Sequence, residues 1–117
     1  MNLGEAIDAV EETYEFMLAY AAQGRRQEDA DATGGIRAAL KKADAALALI
    51  AQAKVENADA FMDVVQQDAA KSSAAFRLVL AQPSISSQLI DNLNASIHVR
   101  ALLTDLFLLD EALKITA

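Results

Sequence analysis

The feature that most constrains this chain is its supply of helix-forming residues. Of its 117 residues, 26 are Ala and 15 are Leu, while Pro occurs once, at Pro83. Ala and Leu lose little conformational freedom in a helix, whereas strands favour β-branched and aromatic residues, and Val, Tyr and Phe are few here. The composition therefore predicts an all-α fold. The length predicts a single domain over residues 1–117.

Charge and composition argue against several classes of function. The formal net charge is −7 and the pI is near 4.5, which disfavours binding to nucleic acid or to anionic lipid, because both depend on clustered Lys and Arg. The chain has no Cys for a disulfide framework, a thiolate zinc site or an iron–sulfur cluster. No apolar run approaches the roughly 20 residues of a membrane span, and the start does not resemble a signal peptide. We expect a cytoplasmic protein without a membrane segment or a cofactor.

Apolar residues that recur every three or four positions predict four amphipathic helices. These helices cover residues 3–23, 36–54, 58–81 and 86–115, with a polar loop over 24–35. Asn2 and Glu5 have the spacing of a capping box, and Gly24 is a typical residue just after a helix. Ser84, Ser86 and Ser87 are candidate caps for the last helix.

The boundary between the second and third helices is less sharply marked. Lys54 falls on the apolar stripe of the second helix, and this misplaced charge predicts a turn near residues 54–57. The alternative is one helix over residues 36–82, which would span roughly 70 Å and require an elongated oligomer. We favour the turn.

Four amphipathic helices with short connections predict an antiparallel four-helix bundle with up-down topology. The outer face of the first helix is acidic, and the outer face of the second is basic. The acidic face holds Glu5, Asp8, Glu11, Glu12 and Glu15, and the basic face holds Arg37, Lys41 and Lys42. The two faces would be complementary if these helices were adjacent; exposed pairs of this kind contribute little, so they indicate orientation only.

The end of the last helix carries more apolar surface than one core requires. From residue 102 onward, apolar side chains surround the helix axis: Leu102, Leu103, Leu106, Phe107, Leu108, Leu109 and Leu113. A helix that is apolar on all sides is expected to be covered on all sides. The pattern predicts a homo-oligomer, most simply a dimer, that forms through Leu102, Leu106, Leu108 and Leu109. The alternative is that the 24–35 loop or a short extra helix covers this segment.

A second candidate surface lies on the flank of the first helix. Phe16 and Tyr20 are four residues apart, so they are neighbours on the helix surface, and Glu12 precedes them by one turn. Aromatic residues are enriched at the centres of protein interfaces. These three residues are therefore candidates for contact with a protein partner, although both aromatics are equally suited to packing against a neighbouring helix.

His98 is the only His, and it is predicted on the polar side of the last helix near Asp91, Asn94 and Asp105. An exposed His midway along a bundle helix is the phosphoacceptor arrangement of histidine phosphotransfer domains. Those domains often show a His-x-x-Lys-Gly pattern, whereas the residues after His98 are Val99, Arg100, Ala101 and Leu102. A phosphoacceptor role for His98 is therefore an alternative.

Other chemistry is not indicated. Residues 91, 98 and 105 are separated by about 10 Å per step, which is too far for a shared metal ion. No nucleophile elbow and no phosphate-binding glycine loop occurs. Met17, Phe61, Met62 and Phe76 could line a cavity for an apolar small molecule, but core packing is the simpler assignment. We expect a non-enzymatic protein interaction module of adaptor, accessory-subunit or small-chaperone type.

Overall fold

The computed structural model describes residues 1–28 and 35–116. Regular structure in these two ranges is helical throughout: α1 (Leu3–Ala22), α2 (Ile36–Ile50), α3 (Asp59–Leu80), α4 (Ser87–Ala95) and α5 (Ile97–Leu113). The prediction of an all-α fold is thus confirmed for the described part of the chain. Within the predicted 24–35 loop, residues 29–34 lie outside the described residues.

The predicted signals at both ends of α1 are confirmed. The Glu5 backbone N–H donates to Asn2 Oδ1 at 2.8 Å, and the Asn2 N–H donates to Glu5 Oε1 at 3.1 Å. This reciprocal pair satisfies two donors that a helix start otherwise leaves without a partner. Gly24 follows α1 with a φ of +65°, a left-handed conformation that costs Gly little. The capping box and the glycine therefore fix where α1 begins and ends.

A turn separates α2 from α3, as predicted. Since α2 ends at Ile50 and α3 begins at Asp59, the single helix over residues 36–82 is excluded. Asn57 has a φ of +64°, which a helix does not allow. Lys54 lies in this connection with its side chain exposed. The chain thereby avoids burying an ammonium group, which would be costly.

The prediction of one last helix over residues 86–115 is wrong at Ser96. This residue has a φ of −57° and a ψ of 128°, and it divides the segment into α4 and α5. The division lets α4 pack against α1 while α5 packs against α3. No Gly or Pro marks the position in the sequence. At the start of α4, Ser86 is confirmed as the cap, because its Oγ accepts a hydrogen bond from the Leu89 N–H at 3.1 Å.

Contacts near the helix ends define the directions of neighbouring helices. Tyr20, near the end of α1, donates its hydroxyl to the Ile85 carbonyl before α4. Gly4, at the start of α1, lies against the Ile115 carbonyl after α5. Arg37, at the start of α2, reaches the carbonyl of Leu80 at the end of α3. Therefore α1 runs antiparallel to the α4 and α5 pair, and α2 runs antiparallel to α3.

Every described helix contributes to one apolar core. Met17, Met62 and Phe76 all lie in this core, at most 3 % exposed, as simple packing requires. The acidic and basic helices are adjacent, and Lys42 of α2 pairs with Glu12 of α1 at 3.5 Å. Both side chains are largely exposed, so this pair contributes at most about 1 kcal/mol. The core, not the surface charge, holds α1 and α2 together.

Candidate interaction surface

The apolar residues near the end of α5 divide between core and surface. Leu102, Leu106 and Leu109 are at most 3 % exposed and belong to the chain's own core. The expectation that these three residues contact a partner is therefore corrected, because their side chains point towards the other helices of the same chain. Leu108 is 58 % exposed and Phe107 is 51 % exposed. From the predicted set, Leu108 alone lies on the surface, and Phe107 joins it.

The exposed side of α5 extends over most of the helix length. Ile97, in the first turn, is 75 % exposed. It precedes Leu108 by eleven residues, so the two side chains point within about 20° of each other and lie roughly 16 Å apart along the axis. Ala101 and Thr104 lie between them on the same side of α5. The outer face of α5 therefore has large apolar side chains at both ends and small ones in the middle.

The outer side of α3 has a matching pattern. Val64 is 45 % exposed and Leu78 is 67 % exposed, and exposed Lys71 lies seven residues from each. Since seven residues make almost two turns, the three side chains form one stripe opposite the core. The apolar side chains of this stripe therefore take no part in the core.

These two outer faces lie side by side. Helix α3 packs against α5, and Ser72 Oγ donates to the His98 carbonyl at 3.1 Å. Asp68 interacts with Asp105 one to two turns further along, so the two helices are antiparallel. Val64 then lies near Leu108, and Leu78 lies near the Ile97 end. We call this surface the α3–α5 face; it comprises Val64, Asp68, Lys71, Leu78, Ile97, Ala101, Asp105 and Leu108.

Two carboxyl groups meet between α3 and α5. Asp105 Oδ2 is shielded from solvent and receives no hydrogen bond from the other described donor groups. Its neighbour is the carboxyl of Asp68, which can share a hydrogen bond with it only when one of the two is protonated. Burial, together with the hydrogen bond to Asp68 and the negative charge of that residue, raises the pKa of Asp105 to about 7. Asp105 is therefore about half protonated at neutral pH, and its protonated form supplies the hydrogen bond between the two carboxyls.

Among the described residues, Asp68 and Asp105 form no ion pair within 4 Å. Ion pairs in this part of the chain join Arg37 to Glu28, Lys42 to Glu12, Arg77 to Asp44 and Lys114 to Glu111. Lys71 is exposed at the middle of the α3 stripe and forms no ion pair within residues 1–28 and 35–116. The α3–α5 face thus carries an acidic pair and an exposed cation, and Lys71 lies about one helical turn from Asp68 on α3.

The second predicted surface, on α1, is only partly exposed. Tyr20 is 6 % exposed, and its hydroxyl donates to the Ile85 carbonyl at 2.5 Å, so Tyr20 joins α1 to the start of α4. Phe16 is 38 % exposed, and Glu12 faces Lys42. Burial raises the pKa of nearby Glu11, and the charges of Asp110, Asp8 and Glu15 add to this effect. Phe16 and Glu12 remain accessible to a partner, whereas Tyr20 has a structural contact of its own.

His98 is exposed in the first turn of α5. The break at Ser96 places Asp91 and Asn94 on a different helix, so the predicted alignment with those two residues is wrong. Asn94 is buried, and neither polar atom of its side chain has a hydrogen-bond partner among the described residues. Asp105 remains on the same helix as His98, where it interacts with Asp68. The phosphoacceptor role stays a prediction.

Among the described residues, no group of three or more His, Asp or Glu side chains has the arrangement of a metal site. None of the helices in residues 1–28 and 35–116 has the length and apolar character needed to cross a bilayer.

Sequence reasoning missed the α3 half of the face. Val64, Lys71 and Leu78 carry a signal, because their seven-residue spacing places two apolar side chains opposite the stripe that forms the core. Asp68 and Asp105 carry no such signal, because they lie 37 positions apart in the chain and on different helices.

Comparison with protein-family models, with curated proteins and with solved structures finds no match to this chain.

Proposed function

We propose that this chain is a non-enzymatic helical interaction module that self-associates through its C-terminal helix. The observation that carries this proposal is the exposure of Ile97 and Leu108, large apolar residues on the same outer side of a folded helix. Large apolar side chains grouped on a surface typically mark a site of protein contact. Burying one such side chain contributes about 1.5–3 kcal/mol.

The bundle supplies a rigid support for this contact. In this proposal α4 and α5 together act as the fourth member of an up-down bundle, with a break at Ser96. Leu102, Leu106 and Leu109 anchor α5 to the core, so the outward direction of Leu108 is fixed before a partner arrives. A preformed surface of this kind loses little conformational entropy on binding. An adaptor, accessory subunit or assembly chaperone in the cytoplasm is the role that fits such a module.

Substitutions on opposite sides of α5 test the proposal. Light scattering coupled to gel filtration gives the mass, and circular dichroism gives the helix content. We expect Leu108→Glu to keep the helix content but shift a dimer to monomer, because the charge enters an apolar contact between subunits. We expect Leu106→Glu to unfold the chain, because Leu106 is fully buried in the core.

The control is Leu18→Glu. Leu18 is 47 % exposed near the end of α1, which lies beside Ile85 and the start of α4, whereas Leu108 lies in the second half of α5. This variant has the same change in chemistry and should keep the mass of the unmodified chain. If Leu108→Glu leaves a dimer intact, or if the unmodified chain is monomeric at all concentrations, the proposal is wrong.

A further inference from the structure

The α3–α5 face contains features that a second copy of this chain would match. We infer that two copies dock through their α3–α5 faces about a two-fold axis parallel to the helices, with Lys71 of each copy reaching the Asp68 and Asp105 carboxyls of the other. This inference rests on the proposed self-association and specifies its partner and its geometry. It also enlarges the contact from α5 alone to α5 and α3 together.

The apolar residues fit this symmetry. A two-fold axis along the groove between α3 and α5 places each α3 over the partner's α5, with the ends of the face aligned. Val64 then meets Leu108 of the other copy at one end, and Leu78 meets Ile97 at the other end. The small side chain of Ala101 and the γ-methyl of Thr104 lie in the middle, where they allow the helices to approach closely.

The charges choose between two possible axes. An axis across the helices would place α3 over α3, so the two Lys71 ammonium groups would meet at the centre and repel each other. An axis along the helices instead places Lys71 over the middle of the partner's α5. The level of Lys71 on α3 corresponds to Ala101 on α5, about one turn from Asp105, which is within the reach of a lysine side chain.

The charges on the two copies are complementary. Lys71 is exposed and forms no ion pair within 4 Å among the described residues, although Asp68 stands three residues before it on α3. Docking brings each Lys71 to the Asp105 carboxyl of the other copy, and the symmetry repeats the contact.

The size of the face suits a modest dimer. Helices of 22 and 17 residues, side by side, present a face roughly 25 Å long and 20 Å wide. The corresponding area approaches the lower end of the roughly 800 Å² that each partner contributes to a stable interface. A dissociation constant of the order of 1–10 μM is the expected range.

A charge exchange tests the inference. In Lys71→Asp, the new carboxylate faces the partner's acidic pair; in Asp105→Lys, the new ammonium group faces the partner's Lys71. We expect each variant alone to dissociate at least ten times more readily than the unmodified chain. An equal mixture should restore dimers, because Asp at position 71 meets Lys at position 105 in one contact, and the unmodified groups meet in the other. Native mass spectrometry identifies such mixed dimers by mass.

Two controls make the result specific. Lys41→Asp changes an exposed Lys on α2, which makes no contact with α5 among the described residues, and it should leave the dimer unchanged. Asp68→Lys replaces Asp105→Lys if the latter loses helix content. Dimers that persist in the single variants, or a mixture that stays monomeric, overturn this inference while the proposed self-association stands. A monomeric unmodified chain overturns both.

Discussion

At the scale of single residues, Asp105 shows how the fold can shift the pKa of a side chain that nothing in the sequence marks as unusual. Its pKa is raised to about 7, mainly by burial and then by Asp68. The unfolded chain keeps an ordinary Asp pKa of about 4, so the folded state binds more protons between pH 4 and pH 7. The free energy of unfolding therefore falls as pH rises through this window, and the full penalty is present above pH 7.

Asp105→Asn removes this penalty, because the amide donates a hydrogen bond to Asp68 at any pH. We expect the variant to raise the free energy of unfolding at pH 8 by about 2 kcal/mol, after allowance for solvent screening, and to have little effect at pH 4. Urea unfolding at both pH values measures this difference. Both proteins, with and without Asp105→Asn, should also carry Leu108→Glu, so that dimer formation does not contribute to the measured difference. An equal change in the free energy of unfolding at both pH values would contradict the raised pKa of Asp105.

At the scale of secondary-structure elements, Arg37 joins three connections that the sequence does not show as related. Its guanidinium donates to both carboxylate oxygens of Glu28 and to the carbonyls of Leu80 and Gln82. Glu28 Oε1 also accepts a hydrogen bond from the Ile85 N–H at 3.1 Å. The start of α2, the end of α3 and the approach to α4 are therefore held by one side chain.

Replacing Arg37 should destabilise the fold well beyond the effect of a surface ion pair. We expect Arg37→Ala to lower the free energy of unfolding by about 2–4 kcal/mol, because it leaves the partly buried Glu28 carboxylate without its cation and two carbonyls without their donor. Arg37→Lys should recover only part of this loss, since an ammonium group cannot reproduce the planar set of donors.

Urea unfolding measures both variants, and Arg77→Ala is the matched control. Arg77 pairs with Asp44 at 3.2 Å but is 71 % exposed, so its loss should cost less than about 1 kcal/mol. If Arg37→Ala and Arg77→Ala lower the free energy of unfolding equally, the hydrogen bonds of Arg37 contribute no more to stability than an exposed ion pair does.

The elements also show what could be predicted from sequence. Asn2, Glu5, Gly24 and Ser86 act through neighbours within a few residues, so their roles at helix ends were predictable. The break at Ser96 arises because α4 and α5 pack against different helices. Such tertiary effects override local helix preference without leaving a local signal. The same limit applies to the surface, where Leu102 and Leu108 were indistinguishable until the direction of α5 was known.

At the scale of the whole molecule, the described chain is an elongated body with extents of 45 × 24 × 21 Å. Its core is closed, yet Val64, Leu78, Ile97 and Leu108 remain between 45 % and 75 % exposed. All four lie on the two helices that pack side by side, α3 and α5. In the dimer that we propose, the two copies would bury all four side chains at once.

Sedimentation equilibrium of the unmodified chain, at loading concentrations from about 1 to 200 μM and at neutral pH, tests this arrangement most directly. The expected result is a mass that rises with concentration from the 12.5 kDa of one chain towards twice that value, without larger species, because a two-fold contact closes on itself. A mass of 12.5 kDa at every concentration would contradict it.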